Sequence, residues 1–128
     1  MKKEKILLTS WVKALSSLTE VLKEKKTDIV RDATIQRFEY TFELSWKILK
    51  RYIESQNHTL EPSIKNVFRE AGKLGLIESV EDWFDFLEAR NLTSHTYEES
   101  IAERVYTVAI EFEKSAQFLL KRLEKLLE

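Results

Sequence analysis

A short polar segment, residues 90–97, carries the side chains of this sequence that are best suited to catalysis. It contains a guanidinium at Arg90, an imidazole at His95 and a phenol at Tyr97. A guanidinium binds phosphate through two parallel hydrogen bonds, and an imidazole exchanges protons near neutral pH. Together they suit phosphodiester chemistry, with His95 as the first candidate for a general acid or base. The other histidine, His58, lies in a polar loop.

Arg90 also has a structural explanation. It follows Trp83 and Phe86 at helical spacing, so it occupies a position where this helix otherwise places apolar side chains. Burying an unpaired charge is costly. We therefore expect Arg90 either to pair with a carboxylate such as Glu39 or Glu43 or to face a hydrated groove.

The side chains of Arg90 and His95 can converge only if the helix stops between them, because on a continuous helix they would point apart. Thr96 and Glu99 form the pattern of a capping box, which predicts that stop and the start of the last helix. The simpler alternatives are a histidine bonded to a carbonyl at a helix end, and Tyr97 packed between helices.

Composition indicates one helical domain over residues 1–128. Two glycines, one proline, 34% charged and 43% hydrophobic residues are typical of long amphipathic helices. A formal net charge of −1 argues against binding nucleic acid over a wide basic surface, although a local basic cleft remains open. The absence of cysteine excludes disulfides and thiolate metal sites. We expect no metal, cofactor, signal peptide or membrane span, and a cytoplasmic location.

Hydrophobic residues recur at helical spacing along five segments, near residues 2–25, 28–55, 62–74, 79–90 and 96–128. In the second segment, residues 38–48 also alternate with period two, which is typical of a strand. We favour a helix because no partner strand or flanking turn signal exists. This helix is apolar around much of its circumference, so it should be central or face a second subunit.

Local signals set the expected helix ends. Thr27 or Asp28 is a candidate N-cap, Pro62 suits a first helical position, and Ser79 starts the fourth helix. Gly75 is the expected C-terminal cap of the third helix. The sequence therefore predicts an all-α, antiparallel up-and-down bundle of five helices with a core like that of a four-helix bundle.

The spacing Arg90, four residues, His95, one residue and Tyr97 resembles the motif of the HEPN superfamily. Residues 38–47 and 68–71, together with Trp83, are similar to the branch of that superfamily that is paired with minimal nucleotidyltransferases. The resemblance extends from about Trp11 to the final helix. It implies a five-helix bundle that forms a homodimer and places two copies of the motif across a shared cleft.

The resemblance also implies roles for the site residues. Active superfamily members are metal-independent ribonucleases, often toxins. Arg90 would stabilise the phosphate, His95 would act as acid or base on the ribose 2′-hydroxyl, and Asn91 and Ser94 would add polar contacts. Tyr97 corresponds to the tyrosine that a nucleotidyltransferase antitoxin modifies with AMP in related pairs.

Three hypotheses follow. The first is a toxin that cuts RNA in the dimer cleft and is regulated by a separate nucleotidyltransferase; two-fold pairing would then supply the second imidazole of the reaction. The second is a non-catalytic subunit that docks a minimal nucleotidyltransferase and binds RNA or a nucleotide. The third is a helical dimer whose motif only stabilises helix ends.

Overall fold

The computed structural model of the protein describes residues 6–56 and 63–128. These residues form five α-helices and a short 3₁₀ turn and contain no β-strand. The helices are α1 (Thr9–Leu22), α2 (Asp28–Ser55), α3 (Ile64–Lys73), α4 (Val80–Asn91) and α5 (Glu99–Leu126). The prediction of an all-α bundle is confirmed, as is the choice of helix over strand for the second segment.

Side-chain caps define the starts of three of these helices. Thr27, Ser63 and Ser79 each accept a hydrogen bond from the backbone N–H three residues along the chain, at 3.1 Å. Each hydroxyl satisfies a backbone donor that has no partner inside the helix. The predicted caps at Thr27 and Ser79 are confirmed. Pro62, expected at the first position of the third helix, lies outside the described residues.

Glycines set the geometry between α3 and α4. Gly75 has a φ of 73°, and Leu76 donates its N–H to the carbonyl of Ala71 at 2.9 Å, which closes α3 as predicted. Gly72 lies against Val80, because a Cβ at position 72 would come within 2.4 Å of Val80 Cγ2. The absence of a side chain at Gly72 therefore lets the start of α4 pack closely on α3.

The directions of the long helices produce an up-and-down bundle. Trp11, early in α1, donates to Ser45 at 2.8 Å, and Ser17, farther along, lies 2.6 Å from the Tyr40 hydroxyl, so α1 and α2 are antiparallel. Arg31 contacts Glu99 and, farther along both helices, Phe38 contacts Phe112, so α2 and α5 are parallel. The contacts of α4 with α5 run in opposite order along the two helices. Helices α1, α2, α4 and α5 thus alternate in direction.

An aromatic cluster lies at the centre of this bundle. The ring of Phe112 on α5 meets those of Phe38, Phe42, Trp83 and Phe86, with centroids 5.2–6.0 Å apart. All five side chains are buried. Aromatic pairs in such tilted geometries stabilise a core beyond the area that they bury. Helix α2 contacts each of the other four helices, which confirms its predicted central position.

None of the described helices has both the length and the apolar character that crossing a membrane requires.

Candidate functional site at the end of α4

Helix α4 stops where the sequence predicted a stop. Its last residue is Asn91, and the hydroxyl of Thr93 donates to the carbonyl of Arg90 at 2.7 Å. Residues Thr93–His95 then form a 3₁₀ turn. The hydroxyl satisfies a carbonyl that the helix leaves open at its end. The chain therefore changes direction between Arg90 and His95.

The predicted capping box at this junction is wrong. Helix α5 begins at Glu99 with Glu98 at the N-cap, and the Glu98 side chain makes no capping hydrogen bond. The Thr96 hydroxyl donates instead to the carbonyl of Thr93 at 3.2 Å. Thr96 is too far ahead of α5 to cap it, and it closes the preceding turn instead.

Arg90 pairs with Glu43, as one structural explanation anticipated. Arg90 Nε lies 2.9 Å from Glu43 Oε1, and its guanidinium carbon is 5.8 Å from the centroid of the Phe42 ring. The Nε–H bond does not point at the carboxylate, so this contact is ionic and not a hydrogen bond. The Arg90 side chain is 27% exposed. Its two terminal nitrogens have no hydrogen-bond or ion-pair partner among the described residues.

His95 and Tyr97 come together at the surface. Their ring centroids are 6.1 Å apart with an interplanar angle of 63°. His95 is exposed, and its imidazole makes no hydrogen bond within the described part of the chain. Tyr97 is 79% exposed, so it is not packed between helices. Both rings are therefore accessible to a ligand or another protein.

The remaining site residues lie at the same junction, Asn91 at the end of α4 and Ser94 in the turn. Asn91 and Ser94 are exposed there. Tyr97, with Thr96, Asp32 and Ile35, also lines an open cavity of about 340 Å³ between the junction and α2. Arg90 and His95 do not line this cavity; the backbone of the turn joins them, with no hydrogen bond between their side chains.

A second arginine supports the junction, and it was not predicted from the sequence. Arg31 on α2 is 5% exposed. Its Nη1 lies 2.5 Å from Glu99 Oε1, and its Nε lies 3.1 Å from Asp32 Oδ1. Glu103 and Asp28 are each 3.7 Å from Nη1. Arg31 thus ties the start of α5, just after Tyr97, to the start of α2.

Charge pairing shifts the pKa values in this network. The hydrogen bond to Glu99 raises the pKa of Arg31 despite the opposing effect of burial, and Asp32 adds to the rise. The hydrogen bond from Lys26, at 2.5 Å, holds the pKa of Glu103 below its usual value, with Arg31 contributing. These groups therefore stay ionised near neutral pH.

The spacing in the sequence could have revealed both Arg31 and the second partner of Glu43. Arg31 precedes Ile35 and Phe38 at helical spacing, which is the same signal that singled out Arg90. Trp46, three residues after Glu43, donates its indole N–H to Glu43 Oε2 at 3.1 Å.

Within residues 6–56 and 63–128, no cluster of three His, Cys, Asp or Glu side chains is arranged to hold a metal ion.

Comparison of the sequence with known proteins relates this chain to a protein family and to a similar protein. The profile of a family described as nucleotidyltransferase substrate binding protein like matches residues 7–125. The chain is 33% identical over 110 residues to the probable ribonuclease HepT of Haemophilus influenzae, covering 80% of this chain and 75% of that protein.

Two solved structures share the fold. A protein from Thermus thermophilus is 35% identical, with a TM-score of 0.81 over 88% of this chain and 98% of that one. A Haemophilus influenzae protein, described as having the fold of a substrate binding domain of a nucleotidyltransferase, is 28% identical. Its TM-score is 0.82, over 92% of this chain and 99% of that one. The resemblance read from the sequence is thereby confirmed at the level of the family.

Proposed function

Because this chain belongs to the family described as nucleotidyltransferase substrate binding protein like, we propose that it is a metal-independent ribonuclease of the HEPN superfamily. It acts as the toxin of a cytoplasmic toxin and antitoxin pair, and the antitoxin is a minimal nucleotidyltransferase. The observation that carries the proposal is the position of Arg90, whose terminal nitrogens are free of partners in the described structure, at the end of the helix that leads into the turn with the exposed His95. The similarity to a probable ribonuclease supports it.

Each group has a defined part in the reaction. The Arg90 guanidinium binds the scissile phosphate and stabilises the charge on the pentacoordinate phosphorus. His95 accepts the proton of the ribose 2′-hydroxyl, whose oxygen forms a bond to phosphorus. The bond to the 5′-oxygen breaks, and that oxygen takes up a proton. The products are a 2′,3′-cyclic phosphate and a 5′-hydroxyl, and Asn91 and Ser94 supply polar contacts to the RNA.

A homodimer completes the site. One imidazole serves as the base and a second protonates the leaving oxygen, yet each chain has a single histidine near Arg90. Pairing across a two-fold axis places a second His95 in the same cleft, where the RNA binds. Full activity from a monomer at high dilution would contradict this arrangement.

Substitution of His95 tests the enzyme. His95→Ala should reduce RNA cleavage by about 100- to 10,000-fold, the usual contribution of a general acid or base. Its melting temperature should stay close to that of the wild type, because the described structure gives the imidazole no hydrogen bond. His58→Ala, at the other histidine, is the matched control and should cut normally. Absence of RNA cleavage by the wild-type protein would refute the proposal.

A second candidate function is a non-catalytic subunit that docks a minimal nucleotidyltransferase and binds RNA or a nucleotide. The Haemophilus influenzae structure described as a substrate binding domain of a nucleotidyltransferase favours it. Here the protein would form a stable complex with the nucleotidyltransferase and leave RNA intact. Failure of the two purified proteins to associate would count against this function.

In either case we propose that Tyr97 is the residue modified with AMP. Its phenol is 79% exposed and adjoins the His95 ring. AMP on this oxygen would place a bulky, negatively charged group beside the imidazole and block the cleft. Mass spectrometry of protein co-expressed with the nucleotidyltransferase should find AMP on Tyr97 and none on Tyr97→Phe. Modification that persists in Tyr97→Phe would assign the acceptor elsewhere.

A further inference from the structure

Glu43 on α2 links the side chains of Arg90 and Trp46. Its Oε1 lies 2.9 Å from Arg90 Nε, and its Oε2 accepts the hydrogen bond of the Trp46 indole N–H at 3.1 Å. Residues three positions apart on a helix project to the same side, so α2 presents Trp46 beside Glu43. One carboxylate oxygen therefore accepts the indole hydrogen bond, and the other forms an ion pair with the guanidinium.

These contacts restrict the plane of the guanidinium. A guanidinium is rigid and planar, so an ion pair that holds its Nε edge limits where its two terminal nitrogens can lie. The buried Phe42 ring, 5.8 Å from the guanidinium carbon, limits its movement on another side. Two parallel hydrogen bonds to a phosphate form only when those nitrogens are correctly oriented. The terminal nitrogens remain free of partners in the described part of the chain.

We infer that Glu43, fixed by Trp46, is a positioning residue that orients the Arg90 guanidinium toward the scissile phosphate. The inference rests on the proposed ribonuclease function and adds residues outside the motif of Arg90, His95 and Tyr97. Glu43 does not itself contact the RNA. Its effect on the reaction passes through Arg90 alone.

The chemistry of the linkage requires a carboxylate. The Trp46 indole donates to one oxygen of Glu43, and the positively charged guanidinium lies against the other, so a negatively charged acceptor suits both groups. Glutamine has nearly the same shape but only one acceptor, and its amide would turn N–H groups toward either Trp46 or Arg90. Glu43→Gln therefore keeps the volume and breaks the linkage. Trp46→Phe keeps an aromatic ring, although a smaller one, and removes the indole donor, so it tests the contact between Trp46 and Glu43.

Single-turnover cleavage of an RNA oligonucleotide at saturating protein concentration measures the effect. Glu43→Gln should slow cleavage by about 10- to 100-fold, which a misplaced catalytic group can cost. Glu39→Gln is the matched control, because it makes the same change one turn earlier on α2 and Glu39 is exposed. The control should cut within about twofold of the wild-type rate, as expected of a surface substitution. The cleavage rate of Trp46→Phe should lie between those of Glu43→Gln and Glu39→Gln.

A double variant tests whether the effect of Glu43 passes through Arg90. If Glu43 acts through Arg90, then adding Glu43→Gln to Arg90→Ala should slow cleavage no further. If Glu43 affects cleavage through contacts other than that with Arg90, the two effects should multiply. The inference would be overturned if Glu43→Gln cut RNA at the wild-type rate, or if the two effects multiplied in the double variant. In both cases loss of activity in His95→Ala would leave the proposed function standing.

The Trp46 indole N–H resonance in the NMR spectrum gives a readout that does not depend on activity. Because Glu43 connects the two side chains, Arg90→Ala should shift this resonance, whereas Glu39→Gln should leave it in place. If the wild-type protein cuts no RNA, the proposed function fails, and this resonance still decides whether Glu43 orients Arg90. An unshifted resonance in Arg90→Ala would overturn the linkage.

Discussion

Arg31 and Arg90 both occupy helical positions that face the protein interior, yet their surroundings differ. Arg31 is almost completely buried and has the carboxylates of Asp32 and Glu99 in direct contact, with those of Asp28 and Glu103 slightly farther away. Arg90 is about a quarter exposed and contacts a single carboxylate through Nε. The two guanidiniums thus differ in how many of their donors the described chain satisfies.

This difference separates a structural arginine from a candidate ligand-binding one. A guanidinium has five N–H donors and no acceptor. In Arg31 the acidic residues of two helices surround those donors, so the group joins α2 to α5. In Arg90 one edge is anchored and the terminal nitrogens are available. The number of acceptors around the guanidinium therefore distinguishes the two arginines more directly than their place on the inward face of a helix.

The largest effect that distinguishes the two arginines is expected from Arg90→Lys. An ammonium keeps the charge but cannot form two parallel hydrogen bonds to phosphate. RNA cleavage should fall by about 100-fold or more, as when a donor to a transition-state oxyanion is removed, with little change in melting temperature. Arg104→Lys, at an exposed arginine paired with Glu88, should cut normally. Normal cleavage by Arg90→Lys would show that the planar guanidinium is unnecessary.

Arg31→Ala should have the opposite effect: it should lower the melting temperature and leave RNA cleavage nearly unchanged. It leaves the carboxylates of Glu99 and Asp32 close to other acidic groups without their shared cation, so the melting temperature should fall by several degrees. The cleavage rate of the folded protein should stay near that of the wild type. Glu99→Gln should lower the melting temperature less, because that carboxylate is 71% exposed. An unchanged melting temperature in Arg31→Ala, measured by calorimetry, would contradict a structural role for this network.

Local chemistry in the sequence was sufficient to predict most of the fold. The α2 boundaries, Asp28–Ser55, follow from the Thr27 cap and the hydrophobic spacing, and the end of α3 follows from Gly75. The first helix was expected near residues 2–25, whereas α1 spans Thr9–Leu22. Lys23 to Lys26 have no apolar side chain to bury, so helical spacing does not continue through them.

The candidate site could be predicted only in part, because its contacts depend on tertiary packing. The stop in α4 and the Arg90–Glu43 pair followed from the sequence. The role of Thr96 did not, since hydroxyls bond equally well to a following N–H or a preceding carbonyl. The network around Arg31 unites α2 with α5, and no spacing within one helix specifies which distant acids meet it.

The smallest expected effect concerns the dependence of stability on pH. Lys26 and Arg31 lower the pKa of Glu103 in the folded protein below its ordinary value of 4.5, so the ionised carboxylate stabilises the fold above that pH. This contribution is lost as the pH falls through the lowered pKa. Glu103→Gln should therefore melt slightly lower at pH 7 and lose less stability on acidification below about pH 4.5. Glu111→Gln, an exposed change on the same helix, should follow the wild-type curve. Parallel curves for Glu103→Gln and the wild type would mean that solvent screens this pair completely, and that the network around Arg31 depends on its contacts with Glu99 and Asp32 alone.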